Sequence, residues 1–172
     1  WIDAFLLPAV TWLLMAIFIL APRFLLFRSN IQRFSRTYGR ICIVITALLS
    51  AFQIVLLLAA TGKTAHLPQF FSFLAGLAIA IVGNWLGKIR RNPLVGIRTP
   101  WTLANDDVWN RTHRAGAAIL LLFGLALCAV SFFTPPLIPA AFIFAGLLGI
   151  ALWSIVYSYK LHRDLMHTHP KP

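Results

Sequence analysis

Acidic side chains are scarce in this chain. Among 172 residues there are four Asp and Glu residues, against 15 Lys and Arg. All four are aspartates, and each lies outside the long apolar runs: Asp3, Asp106, Asp107 and Asp164. Proton and cation carriers usually keep ionisable groups inside the helix bundle. The scarcity therefore argues against a secondary transporter that works through a carboxylate relay.

Several chemical signatures are also missing. The sequence contains no HExxH, CxxC, GxSxG or Walker loop, which are common metal, nucleophile and phosphate patterns. Cys42 and Cys128 fall at different depths of separate apolar runs, so we expect neither a disulfide nor a metal pair. His162, His167 and His169 are interpreted as part of a polar tail. We predict no metal, no cofactor and no enzymatic activity.

Charge is sparse overall and hydrophobic residues are abundant. They make up 60% of the chain, charged residues make up 11%, and the mean hydropathy is +0.83. Soluble domains are about 45–50% apolar and about 25% charged. Five runs without Lys, Arg, Asp or Glu, each near the roughly 20 residues that span hydrocarbon, lie at residues 4–22, 41–61, 67–86, 115–134 and 137–159.

These runs predict an all-α integral membrane protein. We expect one transmembrane domain over residues 1–172, a bundle of about five helices with a structured cytoplasmic loop, and six spans in the full-length chain. Small residues recur at helical spacing in the third run, at Gly76, Ala80, Gly83 and Gly87, and in the fifth run, at Ala145, Gly146 and Gly149. This spacing predicts close helix packing.

Basic residues are distributed unevenly between the segments that connect the runs. Five Lys and Arg residues lie in 23–40, six in 87–114 and three after residue 159, whereas 62–66 contains only Lys63. The positive-inside bias places the fourteen in the cytoplasm, so residue 1 is expected outside and the C-terminus inside. The net charge of +11 is thereby interpreted as topology and attraction to anionic membrane lipids, with no direct nucleic-acid partner.

The segment from Gly83 to Gly116 is longer and more polar than a connection between neighbouring helices requires. Thr99 followed by Pro100 predicts an N-cap with proline at the first helical position. Asn105 predicts a second N-cap, and the two aspartates after it fall where a helix dipole favours negative charge. We therefore predict a folded loop over residues 83–116, called the motif loop below.

Two helical faces are predicted within the motif loop. Trp101 and Leu103 form a short apolar face that we expect to lie in the headgroup layer. After the second cap, five residues recur at helical spacing into the fourth run: Val108, Trp109, Thr112, His113 and Gly116.

The motif loop carries its unusual residues in a characteristic order. Gly83-Asn84 is followed by Asn92, by the run GIRTPWTL over residues 96–103, by Val108-Trp109 and by Thr112-His113-Arg114. This order closely resembles the SdpI family, bacterial membrane proteins named for the immunity protein against the sporulation-delaying-protein toxin. Members of that family commonly have six spans and an external N-terminal region.

The resemblance implies an immunity protein of the bacterial cytoplasmic membrane that protects against a secreted, membrane-active peptide toxin. The founding member also retains a transcriptional repressor at the membrane, so the implied partners are a toxin outside and a repressor in the cytoplasm. The resemblance establishes no catalytic residues. Carried over position by position, the binding or functional residues are Asn84, Asn92, Gly96, Arg98, Thr99, Pro100, Trp101, Trp109, Thr112, His113 and Arg114, with Gly83 and Gly116 shaping the backbone.

Our physical hypothesis concerns Arg98. We expect the motif loop to fold back at the cytoplasmic mouth of the bundle, with Arg98 held by backbone carbonyls, by Asp106 or Asp107, or by a lipid phosphate. Replacing Arg98 by lysine would test this, because a bidentate site needs the guanidinium and a topology charge does not.

Two alternatives remain open. In the first, Arg98, Arg111 and Arg114 are only topology charges and the tryptophans only interface anchors. In the second, the chain is an integral-membrane enzyme or binding protein that acts on anionic lipid headgroups. His113 would then be the general acid or base, and the same three arginines would hold phosphate.

Overall fold

The structure is a computed structural model, and it describes residues 2–24, 35–60, 66–92, 95–135 and 137–168. Within these ranges every regular element is a helix, as the sequence predicts. The apolar runs have no alternating pattern, and helices pair their backbone groups internally, as hydrocarbon requires. The helices are α1 (Ile2–Phe24), α2 (Ser35–Ala60), α3 (Leu67–Leu86), α4 (Pro100–Ala104), α5 (Asp106–Val130) and α6 (Leu137–Thr168).

Three of these helices, α3, α5 and α6, are long and apolar enough to cross a membrane. The described apolar stretches of α1 and α2 are shorter, at Pro8–Ile17 and Cys42–Leu58. Each of the five predicted runs coincides with a helix, but α5 begins well before residue 115 and ends at Val130 rather than at 134. It begins early because Asn105 caps it, which makes its first two turns polar.

The helix surfaces show the polarity expected for lipid as solvent. On α6, Phe142, Phe144 and Leu148 are exposed, while Ser154 and Ser158 are buried. Large contiguous apolar surfaces are unfavourable in water, and small or hydroxyl residues are typical of helix contacts inside membranes. The all-α membrane fold is therefore confirmed, while the number of spans stays a prediction.

The chain divides into two compact units, residues 1–74 and 75–172. In the first unit, the Thr46 hydroxyl of α2 lies 3.0 Å from the Met15 sulfur of α1. The rings of Phe52 and Phe71 stack with their centroids 5.7 Å apart. The basic segment 25–34, Lys63 and Lys171 lie outside the described residues, so the charge distribution that they support stays a prediction.

In the second unit, α3 and α5 approach through their small residues. A Cβ on Gly83 would collide with the backbone at Leu121, and one on Gly124 would collide with the backbone at Ala80. The packing predicted for the third run is therefore confirmed. In the fifth run, Gly146 meets the ring of Phe123 as expected, but the prediction is wrong for Gly149, which has nothing within 4 Å.

Candidate functional site

The short helix α4 begins with reciprocal hydrogen bonds between two threonines. The Thr102 amide donates to Thr99 Oγ1 at 3.2 Å, and the Thr99 amide donates to Thr102 Oγ1 at 3.0 Å. Pro100 occupies the first turn, where its missing N–H costs nothing. The predicted N-cap is confirmed, and Thr102 completes it as a capping box, which sequence reasoning missed.

These two threonines join Ser158 of α6 in a cluster of three buried hydroxyls, called the hydroxyl cluster below. Thr99 Oγ1 donates to Ser158 Oγ at 3.0 Å, and Ser158 donates to the Ile155 carbonyl at 3.0 Å. Thr102 donates to the Ile97 carbonyl at 2.8 Å. Each hydroxyl thus donates once and accepts at least once, so its burial leaves no unmatched group. The hydroxyl cluster fixes α4 against α6.

A second contact joins α4 to α6. The Trp101 ring meets the Tyr159 ring edge to face, with centroids 5.1 Å apart. Trp101 is half-buried because an aromatic partner on α6 covers part of its ring, and its predicted place in the headgroup layer stays a prediction. Leu103 is exposed, as that prediction requires.

Helix α5 begins at Asn105, whose side-chain oxygen accepts from the amides of Asp107 at 2.7 Å and Val108 at 3.4 Å. Asp106 and Asp107 occupy the first turn, as predicted. The guanidinium that reaches this junction belongs to Arg91. Its Nη1 donates to the Leu103 carbonyl at 2.9 Å, and its Nε lies 2.7 Å from Asp106 Oδ1.

The hypothesis that Asp106 holds Arg98 is therefore wrong, since Arg91 occupies that position. Arg98 is exposed, and its guanidinium has no partner among the described residues. Arg91 follows α3 closely in the chain, so it can reach back to the junction of α4 and α5. No local motif indicated this pairing, because the two residues are 15 positions apart.

A buried imidazole, with the residues around it, forms the centre of the motif loop. His113 Nδ1 lies 2.8 Å from the Trp109 carbonyl, and His113 Nε2 accepts from the Ile97 amide at 3.0 Å. The carbonyl can only accept and the amide can only donate, so the ring is neutral with its proton on Nδ1. The His113 ring stacks on the Trp109 indole, with centroids 3.9 Å apart. Trp109 in turn donates to the Ile89 carbonyl at 2.8 Å.

Gly96 makes this arrangement possible. Its φ is +123°, a conformation that residues with a Cβ rarely adopt. A Cβ there would also collide with His113 Nε2 and approach the Trp109 ring to 3.1 Å. The glycine therefore lets the backbone lie directly against the imidazole, which brings the Ile97 amide to its acceptor.

Two further contacts hold the rest of the motif loop. The buried Asn92 amide donates to the carbonyls of Arg90 at 2.8 Å and Val95 at 3.1 Å, and its oxygen accepts from the Val95 amide at 2.7 Å. The Ile97 side chain packs against Gly116, where an added Cβ would lie 2.9 Å from Ile97 Cδ1. Leu86 of α3 and Trp153 of α6 lie beside the same glycine, so Ile97 sits where three helices meet.

The structure thus separates the predicted site residues into two groups. The folded centre comprises Asn92, Gly96, Thr99, Pro100, Trp101, Trp109 and His113, with Gly116 beneath it. Thr112 is also buried, although its hydroxyl has no hydrogen-bond partner within the described part of the chain. Three others, Asn84, Arg98 and Arg114, are exposed and lie outside the hydrogen-bond network of this centre.

Sequence reasoning missed Arg91, Ile97, Thr102 and Ser158. Ser154 and Ser158 recur one helical turn apart in an otherwise apolar run, and that spacing was a signal for a polar contact face on α6. Among the described residues, no group of three or more His, Cys, Asp or Glu side chains could hold a metal. The arrangement is a hydrogen-bonded scaffold that presents basic side chains at its surface.

Known proteins match the segment that contains this site. The profile of the SdpI/YfhL protein family matches residues 88–158. Immunity protein SdpI of Bacillus subtilis (strain 168) is 30% identical over 118 residues, which cover 69% of this chain and 56% of that protein. The chain therefore spans a little over half the length of this curated relative. No solved structure matches the chain.

Proposed function

Residues 88–158 belong to the SdpI/YfhL protein family, and from this premise we propose that the chain is a membrane immunity protein that protects a bacterium from a secreted, membrane-active peptide. The observation that carries the proposal is the folded motif loop. In the part of the chain that matches the family, the backbone at Gly96 lies against the His113 ring, and that ring stacks on Trp109. A scaffold of this precision in a connecting segment supports a binding role, because functional residues concentrate on loops held by a rigid frame.

The finer partners belong to the same proposal. We place residue 1 outside and the C-terminus in the cytoplasm, so the toxin acts on the outer side. The basic side chains of the motif loop then face the cytoplasm, where they attract anionic lipids and can retain a transcriptional repressor. Exposure of Arg90, Arg98, Arg111 and Arg114 supports this arrangement.

The alternative, an enzyme acting on lipid headgroups, has less support. Both His113 nitrogens are already engaged by backbone groups, and the ring is buried. A general acid or base must reach the proton that it transfers, either directly or through one water. His113 instead serves as a backbone-holding residue.

Toxin challenge tests the immunity proposal. A toxin-sensitive bacterium expressing the full-length protein is exposed to the secreted peptide of the SdpI system and, separately, to unrelated pore-forming peptides. We expect survival to rise only against the first. Absence of protection, with the protein present in the membrane by immunoblot, would overturn the proposal.

Two glycine variants link protection to the motif loop. Gly96→Ala introduces a Cβ into the imidazole contact and is expected to abolish protection. Gly149→Ala makes the same chemical change where nothing lies within 4 Å, so protection should persist. Equal protection by the two variants would exclude the motif loop from the mechanism.

A further inference from the structure

Asn84 lies at the last turn of α3, away from the hydrogen-bond network around His113. The Lys88 ammonium donates to Asn84 Oδ1 at 3.4 Å, which directs this lysine back along the exposed face of the helix. The amide nitrogen of Asn84 has no partner among the described residues, and the side chain is exposed. An ammonium and an amide donor therefore stand together on one surface.

Arg114 of α5 approaches the end of α3, next to Lys88 in the chain. A Cβ on Gly87, the residue before Lys88, would lie 3.7 Å from Arg114 Cα and 3.9 Å from Arg114 Cγ. The arginine stem therefore passes beside the end of α3. The apolar part of α3 ends at Leu86, and that of α5 begins after Arg114. Lys88 and Arg114 thus lie at the same depth, where hydrocarbon gives way to headgroups.

No carboxylate neutralises these cations among the described residues. Asp106 pairs with Arg91, and Asp164 lies 4.0 Å from Arg163 on α6. Asp107 lies seven residues before Arg114 on α5, which is roughly 10 Å along the helix axis. An anion from outside the chain is therefore the natural counter-charge.

We propose that Asn84, Lys88 and Arg114 form a binding site for the phosphate of an anionic phospholipid headgroup. The guanidinium offers two parallel N–H donors, the ammonium offers a point charge, and the Asn84 amide offers a further donor. A lipid is the occupant because the donors border the apolar surfaces of two membrane helices, where headgroup phosphates lie. The inference deepens the general attraction to lipids proposed above, and it does not depend on toxin protection.

Native mass spectrometry of the full-length protein tests the site. The protein is released from nanodiscs that contain phosphatidylglycerol and phosphatidylcholine with identical acyl chains, and the ratio of the two retained lipids is measured. We expect the wild-type protein to retain phosphatidylglycerol preferentially. The double variant Lys88→Gln/Arg114→Gln should lower that preference about tenfold, because it removes the direct charge-assisted hydrogen bonds to the phosphate.

The matched control removes the same charge elsewhere. Lys160→Gln/Arg163→Gln changes two exposed cations of α6 and should alter the preference by about twofold or less, as expected for diffuse attraction. Asn84→Asp keeps the shape of the side chain but places a carboxylate beside Lys88, so it should lower the preference without unfolding the protein.

Four results would overturn the proposal. The first is a wild-type protein that retains both lipids equally, and the second is an equal loss of phosphatidylglycerol preference in the two double variants. The third is loss of that preference when inorganic phosphate is added. The fourth is a Lys88→Gln/Arg114→Gln variant that no longer binds polyglutamate but still prefers phosphatidylglycerol. The last two would assign the surface to a free anion or to an acidic protein. Toxin protection with no lipid preference would overturn this inference alone, and lipid preference with no protection would overturn the immunity proposal alone.

Discussion

At the scale of single residues, the role of His113 is set by two backbone groups rather than by solvent. Replacement by phenylalanine keeps an aromatic ring on the Trp109 indole but removes the acceptor of the Ile97 amide. An unpaired buried donor costs about 1–3 kcal/mol. We expect His113→Phe to destabilise the protein by that amount and to speed hydrogen exchange at the Ile97 amide. The control His162→Phe replaces a half-buried histidine of α6 and should change neither the stability nor the exchange rate at Ile97. If the Ile97 amide stays protected from exchange in His113→Phe, His113 is not its hydrogen-bond acceptor.

Arg91 gives a second prediction at this scale. Its guanidinium contacts the Leu103 carbonyl and Asp106 through different nitrogens, an arrangement that a single ammonium cannot reproduce. Both partners are partly exposed, so Arg91→Lys should cost only about 0.5–1 kcal/mol. Arg98→Lys should leave stability unchanged, because Arg98 has no partner among the described residues. Thermal unfolding of the two variants in the same detergent measures the difference, and a larger loss in Arg98→Lys would reverse the assignment.

At the scale of elements, α4 is too short to be stable alone, and its contacts with α6 keep it folded. Ser158→Ala removes the acceptor of the Thr99 hydroxyl, whereas Ser154→Ala removes a hydroxyl that bonds only within α6, to the Ala151 carbonyl. We expect Ser158→Ala to cost about 1–2 kcal/mol and Ser154→Ala about 0.5 kcal/mol or less. Hydrogen exchange over residues 99–104 should rise in the first variant and not in the second. Similar exchange in both would mean that Trp101 alone holds α4.

The same elements show how far the sequence could predict the site. The N-caps at Thr99 and Asn105 could be predicted because an N-cap depends on only three or four consecutive residues. Helical spacing likewise predicted that Val108, Trp109 and His113 share one face of α5. The pairings of Arg91 with Asp106 and of Thr99 with Ser158 join residues 15 and 59 positions apart, so they depend on how the helices pack and no local pattern contains them.

At the scale of the whole molecule, composition was enough to predict an all-α membrane fold, and the GIRTPWTL run was enough to predict the family whose profile matches residues 88–158. Orientation is still a prediction. In a Cys42→Ala/Cys128→Ala background, Phe133→Cys, on the turn after α5, should react with an impermeant maleimide in intact cells. Asp107→Cys should react only after the membrane is permeabilised. Both side chains are exposed, so opposite results would invert the proposed topology.

Helix α6 is long, so a small tilt at one end displaces its other end by several ångströms. Ser158 lies 21 residues beyond Leu137 on one continuous helix, about 32 Å along its axis. A tilt of about ten degrees at the Leu137 end would carry Ser158 sideways by roughly 5 Å, more than the 3.0 Å that joins its hydroxyl to Thr99. Helix α4 must then move with α6, or the hydrogen bond between Thr99 and Ser158 must break. The hydrogen bond between Thr99 and Ser158 therefore couples the position of α4 to the tilt of α6.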